Sequence, residues 1–270
     1  MIINPYSFGV SYDPDAQAFF TASGLTGATN LTAINNLVVA LKGYGIWTKM
    51  KAIYPIIGGT AALHKWNLKN PLDTDAAFRL TFFGGYTHSS TGMAGNGVNG
   101  YGNTFLNPDT VFSVANNVHL SLYSRTSTAS GSDIDMGGYN GGQVGGVGAL
   151  YLSAGWGNQA IATLHQSTQI SFTNLNSLGF FIASRIGSAQ KIYKNLLTGV
   201  SVTSAPALKL NYSVAISGAF SSGWGGGVDL GLISAKEYAF ISIGDGLTDS
   251  EAANFYTAVN AYQVALSRNV

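Results

Sequence analysis

The fold class this sequence predicts is mainly β: a sandwich or jelly roll of many short strands, with helices at both ends. Three observations predict it. Through most of the chain, apolar and polar residues alternate with a period of two, the pattern of a half-buried strand. These runs recur at roughly 8–12-residue spacing between Gly, Asn and Ser turns. Near both termini the apolar residues fall instead on helical spacing.

The elements follow in order. Asp13-Pro14 opens a first helix, because Asp accepts from the free amides of a first turn and Pro fits the first helical position. That helix runs through Phe19 and Phe20 and should stop at Gly24. Thr29 or Asn30 is expected to cap a second helix, in which Ile34, Leu37, Val38 and Leu41 share one face. Gly43 and Gly45 end it, and Ile46-Trp47 to Met50 adds a turn. From about Ala52 to Ile243 the period is two. Phe78, Leu80 and Phe82 alternate, as do Val118, Leu120 and Leu122, then Ile170 and Phe172. Phe180 and Ile182, Val200 and Val202, and Tyr212, Val214 and Ile216 repeat the pattern. Tyr238 and Phe240 are expected to face away from Ile241 and Ile243. Gly84-Gly85, Gly137-Gly138, Gly141-Gly142, Gly145-Gly146 and Gly225-Gly226-Gly227 read as turns, where positive φ is easy for glycine. Thr248-Asp-Ser-Glu251 is a capping box, and Phe255, Val259, Tyr262 and Leu266 follow as one apolar stripe. The expected organisation is a helical collar or attachment region over 1–51, a β-sandwich over 52–246, and a C-terminal helix over 247–270 packed on either.

Composition narrows the function. The chain has 270 residues, 35 of them Gly and none Cys, with 13 basic and 12 acidic residues and a formal charge of +1. Only 9% are charged, against about a quarter in ordinary domains. A surface made of Ser, Thr, Asn, Gly and Tyr suits contact with other surfaces or sugars. The near-neutral balance argues against nucleic acid as a partner. Without cysteine, disulfides, thiolate zinc sites and cysteine nucleophiles are excluded. No apolar run approaches the ~20 residues that span a bilayer, so membrane insertion is not expected. Met1-Ile-Ile-Asn-Pro-Tyr lacks the basic and apolar regions of a signal peptide, and no export by the usual secretory route is expected.

Candidate chemistry is sparse. Gly95-Asn-Gly97-Val-Asn-Gly100 matches a dinucleotide fingerprint, but Tyr101-Gly-Asn-Thr-Phe after it is not helical, so it reads as a turn. Two glutamates exist; Glu251 belongs to the capping box and Glu237 stands beside Lys236 at a strand start. Asp133-Ile-Asp135 remains. In a strand its carboxylates share a face and would hold Ca²⁺ or act as an acid pair; alternatively they form a polar edge before a Gly-rich loop. Asp73 and Asp75 fit a turn after Pro71. His64, His88, His119 and His165 lack metal-site spacing and read as scattered surface or half-buried residues. No G-x-S-x-G elbow is present. Lys42, Lys49, Lys51, Lys65 and Lys69 form a run with no acid among them, either solvated or facing an acidic partner subunit. Trp156 and Trp224 sit in Gly-rich loops, and Tyr139 precedes Asn140-Gly-Gly. A flat aromatic beside Asn and Asp is the usual make-up of a sugar site; the same residues also suit packing at a sandwich end or in an oligomer contact. Trp47 and Trp66 fit the core or collar. No cofactor is expected.

An ordered set of segments carries a resemblance. It comprises Tyr12-Asp-Pro-Asp-Ala-Gln-Ala-Phe19, Ile34-Asn-Asn-Leu-Val38, Gly45-Ile-Trp-Thr-Lys-Met-Lys-Ala-Ile-Tyr-Pro55 and His64-Lys-Trp-Asn-Leu-Lys69. Asp75-Ala-Ala-Phe-Arg79, Asn96-Gly-Val-Asn-Gly-Tyr101 and Ile241-Ser-Ile-Gly-Asp-Gly-Leu-Thr248 complete it. Together they resemble bacteriophage virion proteins carrying a concanavalin A-like (laminin-G-type) jelly roll, over essentially the whole chain. The resemblance implies a non-enzymatic virion protein: a spike, fibre or head/tail decoration. Such a protein is made in the host cytoplasm and ends in the virion. Its partners would be other virion proteins, further copies of itself (a homotrimer is common among spikes and fibres) and a host-surface glycan. Two alternatives stay open, a polysaccharide depolymerase using Asp133 and Asp135 and a cellular lectin-like module, because the fold alone does not choose among them.

Overall fold

Two eight-stranded sheets face each other, and helices cover the outside of one of them. The computed structural model describes residues 11–128, 131–141, 148–166, 168–196, 199–225 and 227–270. Its helices are α1 (Pro14–Ser23), α2 (Ala28–Gly43), α3 (Ala61–His64), α4 (Pro108–Val111) and α5 (Asp249–Ala265). Strands β1 to β8 are Met50–Tyr54, Thr81–Phe83, Tyr86–His88, Met93–Gly95, Tyr101–Asn103, Asn117–Ser124, Met136–Tyr139 and Ala149–Trp156. Strands β9 to β16 are Gln159–Gln166, Ile170–Thr173, Gly179–Ile186, Ala189–Lys194, Val200–Thr203, Ala215–Ile216, Phe220–Ser221 and Glu237–Gly244. The first sheet runs β13-β12-β11-β6-β16-β4-β3, with β1 also on β16; the second runs β10-β9-β8-β7-β14-β5-β2, with β15 also on β7. Among the described residues all strand pairings are antiparallel except β15 with β7. No helix among the described residues is long and apolar enough to cross a membrane.

Local signals set the helix ends. Asp13 caps α1 by accepting from the Asp15 amide at 3.0 Å, and Gly24 closes it at φ 70°. α2 starts earlier than Thr29 or Asn30. Gly27, at φ 90°, turns the chain in at Ala28 without a side-chain cap, and Asn30 donates back to the Thr26 carbonyl. Ile34, Leu37, Val38 and Leu41 are all buried. After Gly43 the added turn is a 3-10 turn over Trp47–Lys49, and β1 follows at once. β1 pairs with β16, so the collar segment runs directly into the sheet.

The capping box of α5 is complete. Thr248 Oγ1 accepts from the Glu251 amide, and Glu251 Oε2 accepts from the Thr248 amide at 2.8 Å. Lys49 Nζ also reaches that carboxylate, at 2.6 Å. Thr248→Ala will therefore lower stability by about 1 kcal/mol in denaturant unfolding; no change would show that the ion pair alone holds this end.

Three apolar layers result. α1, α2 and α5 pack on the outer face of the first sheet, where the Phe255 ring meets Phe180 at 5.1 Å and Phe240 at 5.8 Å, edge to face. Between the sheets lie Leu120, Leu122, Leu150, Leu152, Phe181 and Ile241. A thinner layer on the outside of the second sheet joins Tyr139, Tyr151 and Ile161 to Ala219 and Leu232.

This layering changes several expectations. β6, β11 and β16 are buried on both faces, so alternation there separates two interiors rather than core from water. Phe180 and Ile182 face the helices, while Phe181 and Ala183 face the other sheet. Tyr238 does not oppose Ile241 and Ile243: a bulge between Tyr238 and Phe240 puts all three in the sandwich core and leaves Phe240 under α5. Phe78 is not in a strand; it ends a 3-10 turn at φ 60°. Gly137-Gly138 is no turn but the middle of β7. A Cβ on Gly137, at φ 140°, would come within 2.3 Å of the Leu150 carbonyl oxygen, so close strand approach requires glycine there. The Gly145-Gly146 turn lies outside the described residues.

Candidate functional site

β7 places the candidate residues. Asp133 and Asp135 precede it, Tyr139 and Asn140 end it, and β8 runs antiparallel beside it. Trp156, at the far end of β8, therefore falls at the Asp133 end. Trp224 belongs to the Asn140 end, because β15 pairs with the last residues of β7 and leads into the 3-10 turn Ser222–Trp224. The six residues thus form two groups rather than one site.

A cleft of about 340 Å³ opens at the Asn140 end, lined by Asp109, Asn140, Leu208, Lys209, Asn211, Tyr212 and Ser222. Asn140 builds it: its Nδ2 donates to the Lys209 carbonyl at 2.9 Å, and its Oδ1 accepts from the Asn211 amide at 3.1 Å. Ser222 Oγ accepts from the Gly141 amide at 2.6 Å, and Ser221 Oγ donates to the Gly141 carbonyl at 3.0 Å. These bonds tie the Trp224 turn to the corner after β7. The side chain of Trp224 lies outside the described residues. Lys209 Nζ donates to the Phe112 carbonyl at 2.9 Å and stands 3.3 Å from Asp109 Oδ1, so its charge is answered inside the wall. The Asn211 side-chain carboxamide, the second oxygen of the Asp109 carboxylate and the Ser222 hydroxyl proton, beside the Tyr212 ring and Leu208, remain to meet a ligand. That set suits a neutral, hydroxyl-rich molecule.

Tyr139 is not a stacking platform. It is 1% exposed, and its hydroxyl donates to the Asp229 carboxylate. Burial, together with that carboxylate, pushes its pKa up to about 12.

The Asp133 end is closed. The carboxylates do share one side, but both meet Lys236: Nζ is 2.7 Å from Asp133 Oδ2 and 3.0 Å from Asp135 Oδ1. Asp135 also accepts from Ser234 Oγ, Tyr238 OH and the Ala154 amide. Asp135 and Lys236 are each 1% exposed, so this pair is an internal ion cluster, neither an open acid pair nor a loop edge. Trp156 is half-buried against the outer layer of the second sheet. Among the described residues no group of three His, Asp or Glu is placed to hold a metal ion.

A larger concavity, about 460 Å³, lies where α5 begins over β11 and β12. Its polar groups are spent on one another: Lys191 Nζ lies 2.7 Å from Asp249 Oδ1, and Tyr193 OH donates to the same oxygen. It serves to seat the helix.

Known structures share this fold. The chain is similar to domain 4 of AbnA, an extracellular GH43 arabinanase from Geobacillus stearothermophilus, in complex with arabinotriose. That likeness has TM-score 0.51 at 16% identity, over 77% of this chain and 98% of that one. It is also similar to a botulinum neurotoxin serotype D/C binding domain, with TM-score 0.52 at 10% identity over 79% and 53% of the two chains. A Trypanosoma rangeli sialidase mutant displaying trans-sialidase activity gives TM-score 0.52 at 12% identity over 86% and 39%. The chain therefore spans about half or less of the last two. The fold is a concanavalin A-like jelly-roll sandwich. No family model matches the chain, and no curated protein does.

Within this jelly roll, two other expectations change. The lysine run is not a free basic face: Lys42 meets Asp13 and Asp15, Lys49 meets Glu251, Lys51 meets Asp245, and Lys65 meets Asp73. Lys69 lies 4.4 Å over the Trp47 ring. The histidines lie deeper than expected, except His88, which is half-buried. His64, His119 and His165 are buried, and the His64 and His88 Nδ1 atoms lie 3.0 Å apart. Sequence reasoning missed Asp109, Lys209, Asn211 and Ser222 as cleft residues, since nothing in their spacing links them. Lys236 carried one signal, a lysine beside Glu237 at the start of an otherwise apolar strand.

Proposed function

We propose that this protein is a non-enzymatic bacteriophage virion protein that binds host-surface glycans through the cleft at Asn211. The carrying observation is that cleft: a carboxylate, a carboxamide and a hydroxyl beside Tyr212 and Leu208, with its lysine already neutralised. Sugars are bound by such sets, in which amide and acid groups take hydroxyls while apolar surface takes C–H faces. The arabinotriose in the AbnA domain, on a similar fold, supports the ligand class. The virion assignment rests on the ordered resemblance in sequence, which also supports assembly as a homo-oligomer, a trimer, with other virion proteins. The sealing of Asp133 and Asp135 around Lys236 supports a binding role over glycan cleavage.

Glycan-array binding by the isolated protein tests the reading. The intact protein is expected to bind, and Asp109→Ala or Asn211→Ala to weaken binding about tenfold, roughly one to two hydrogen bonds. Trp156→Ala, at the other end of β7, should change nothing. No reducing ends should appear on incubation with host polysaccharide. Binding by no glycan, or binding untouched by both cleft variants, would sink the glycan reading. A gene set without capsid or portal genes beside this one would sink the virion reading.

A further inference from the structure

One base and two acids meet at a site that water reaches only along Asp133. Lys236 and Asp135 are each 1% exposed, and Asp133 closes the same site from its one-fifth-exposed side. The site carries a formal charge of −1 beside Tyr238 and Ala154. Sealing a separated ion pair away from water is costly even when it is well bonded. Asp135 is also an unusual carboxylate. Lys236 Nζ at 3.0 Å, Ser234 Oγ at 2.8 Å and Tyr238 OH at 2.6 Å all point at Oδ1, and the Ala154 amide holds Oδ2 at 2.6 Å. Those donors draw electron density from Cγ and ready it for a nucleophile. Asp133 supplies the third part. Its Oδ2 accepts from Nζ at 2.7 Å, while its buried Oδ1 has no partner among the described residues.

We propose that Lys236 and Asp135 condense spontaneously into an intramolecular amide, with Asp133 as proton carrier. A proton first passes from Nζ to Asp133 Oδ2, which leaves a neutral amine without changing the charge of the site. The Nζ lone pair then forms a bond to Asp135 Cγ. The Cγ–Oδ1 bond breaks with its electron pair on oxygen. Two of the three Nζ protons reach that oxygen through Asp133, and it departs as water. Asp133 ends as it began, a carboxylate, and no oxidant or co-reactant is needed. Oδ2 becomes the amide oxygen, still held by the Ala154 amide. Burial lowers the Lys236 pKa while the two carboxylates raise it, with the balance above an ordinary lysine. The proton therefore leaves Nζ only for an acceptor inside the site, which Asp133 is. The product replaces a buried ion pair by a neutral amide, and a site that water reaches only along Asp133 opposes its hydrolysis. The bond would join the start of β16 in one sheet to the start of β7 in the other, 101 residues apart, in a chain without cysteine. This inference is independent of the glycan reading.

Intact mass of the denatured full chain tests it. The wild type is expected to be lighter than its sequence by one water. Fragmentation should join the peptide holding Lys236 to the one holding Asp135. Lys236→Arg and Asp135→Ala should restore full mass, and Asp133→Asn should cut the cross-linked fraction at least tenfold. A wild-type chain at full sequence mass overturns the proposal. So does a missing water that maps within one peptide, as a succinimide would. Full cross-linking in Asp133→Asn overturns the role given to Asp133.

Discussion

Acidification from pH 6.5 to 4.5 will remove several kcal/mol of folding stability, before most carboxylates titrate. The cause is a set of histidines buried as neutral rings. Burial, first of all, pushes His119 and His165 down to about 4 and His64 to about 3, with the neighbouring His88 ring adding to the last. His88 is lowered by burial too. The bonding fixes the neutral forms. His119 Nδ1 faces the Asp245 carbonyl at 2.7 Å, which only accepts, so Nδ1 carries the proton and Nε2 accepts from Ser242. His64 Nε2 accepts from the Gly59 amide, so its Nδ1–H donates to His88. The unfolded chain binds these protons near the ordinary value of 6.5, whereas the folded chain refuses them until about 4. Above 6.5 the two states bind alike. As pH falls through the window, the unfolded state takes up more protons and stability drops. His119 alone accounts for about 2 kcal/mol across this window. Carboxylates held low by cations or caps, such as Asp249 and Glu251, lose their contribution only as pH falls below about 4, a separate window. Denaturant unfolding at pH 7, 6, 5 and 4.5 measures the slope, and His119→Gln should flatten it. Equal stability at 6.5 and 4.5 would refute the account.

Lys236→Met is the second large effect, expected to cost about 3–5 kcal/mol. The stem keeps its volume, but Asp135 is left as a sealed carboxylate without its cation. Because the amide needs Lys236, the loss carries both the stranded charge and the missing bond. Asp135→Asn placed on Lys236→Met should recover part of it by removing the charge. Unfolding midpoints of the two single variants and the double variant form the test. Additive losses would mean that the two groups do not act on each other.

Some of this was legible from the residues. Asp13-Pro14, the Thr248–Glu251 box and the stripe through Phe255, Val259 and Tyr262 each depend on neighbours within two turns, and each sits where its pattern put it. The alternation of Val118, Leu120 and Leu122 marked β6 for the same reason. The cleft was half legible. Asn140 and the Trp224 turn were singled out separately, but only the parallel pairing of β15 with β7 brings them together. Trp156 shared their composition and lies at the opposite end. For Asp133 and Asp135 the shared side was readable, and their occupation by Lys236, about a hundred positions away, was not.

By itself the sequence determined the terminal helices and alternating strands such as β6, and that the chain is a charge-poor β protein without cysteine chemistry. These follow from caps, periods and composition, which act over a few residues. Only the tertiary structure decided that both faces of the central strands are interior, that most of the lysine run is answered by distant acids, and that one end of β7 opens as a cleft while the other closes on an ion cluster. Those outcomes depend on which layers stack and which charges meet across the chain, and no local pattern records such meetings.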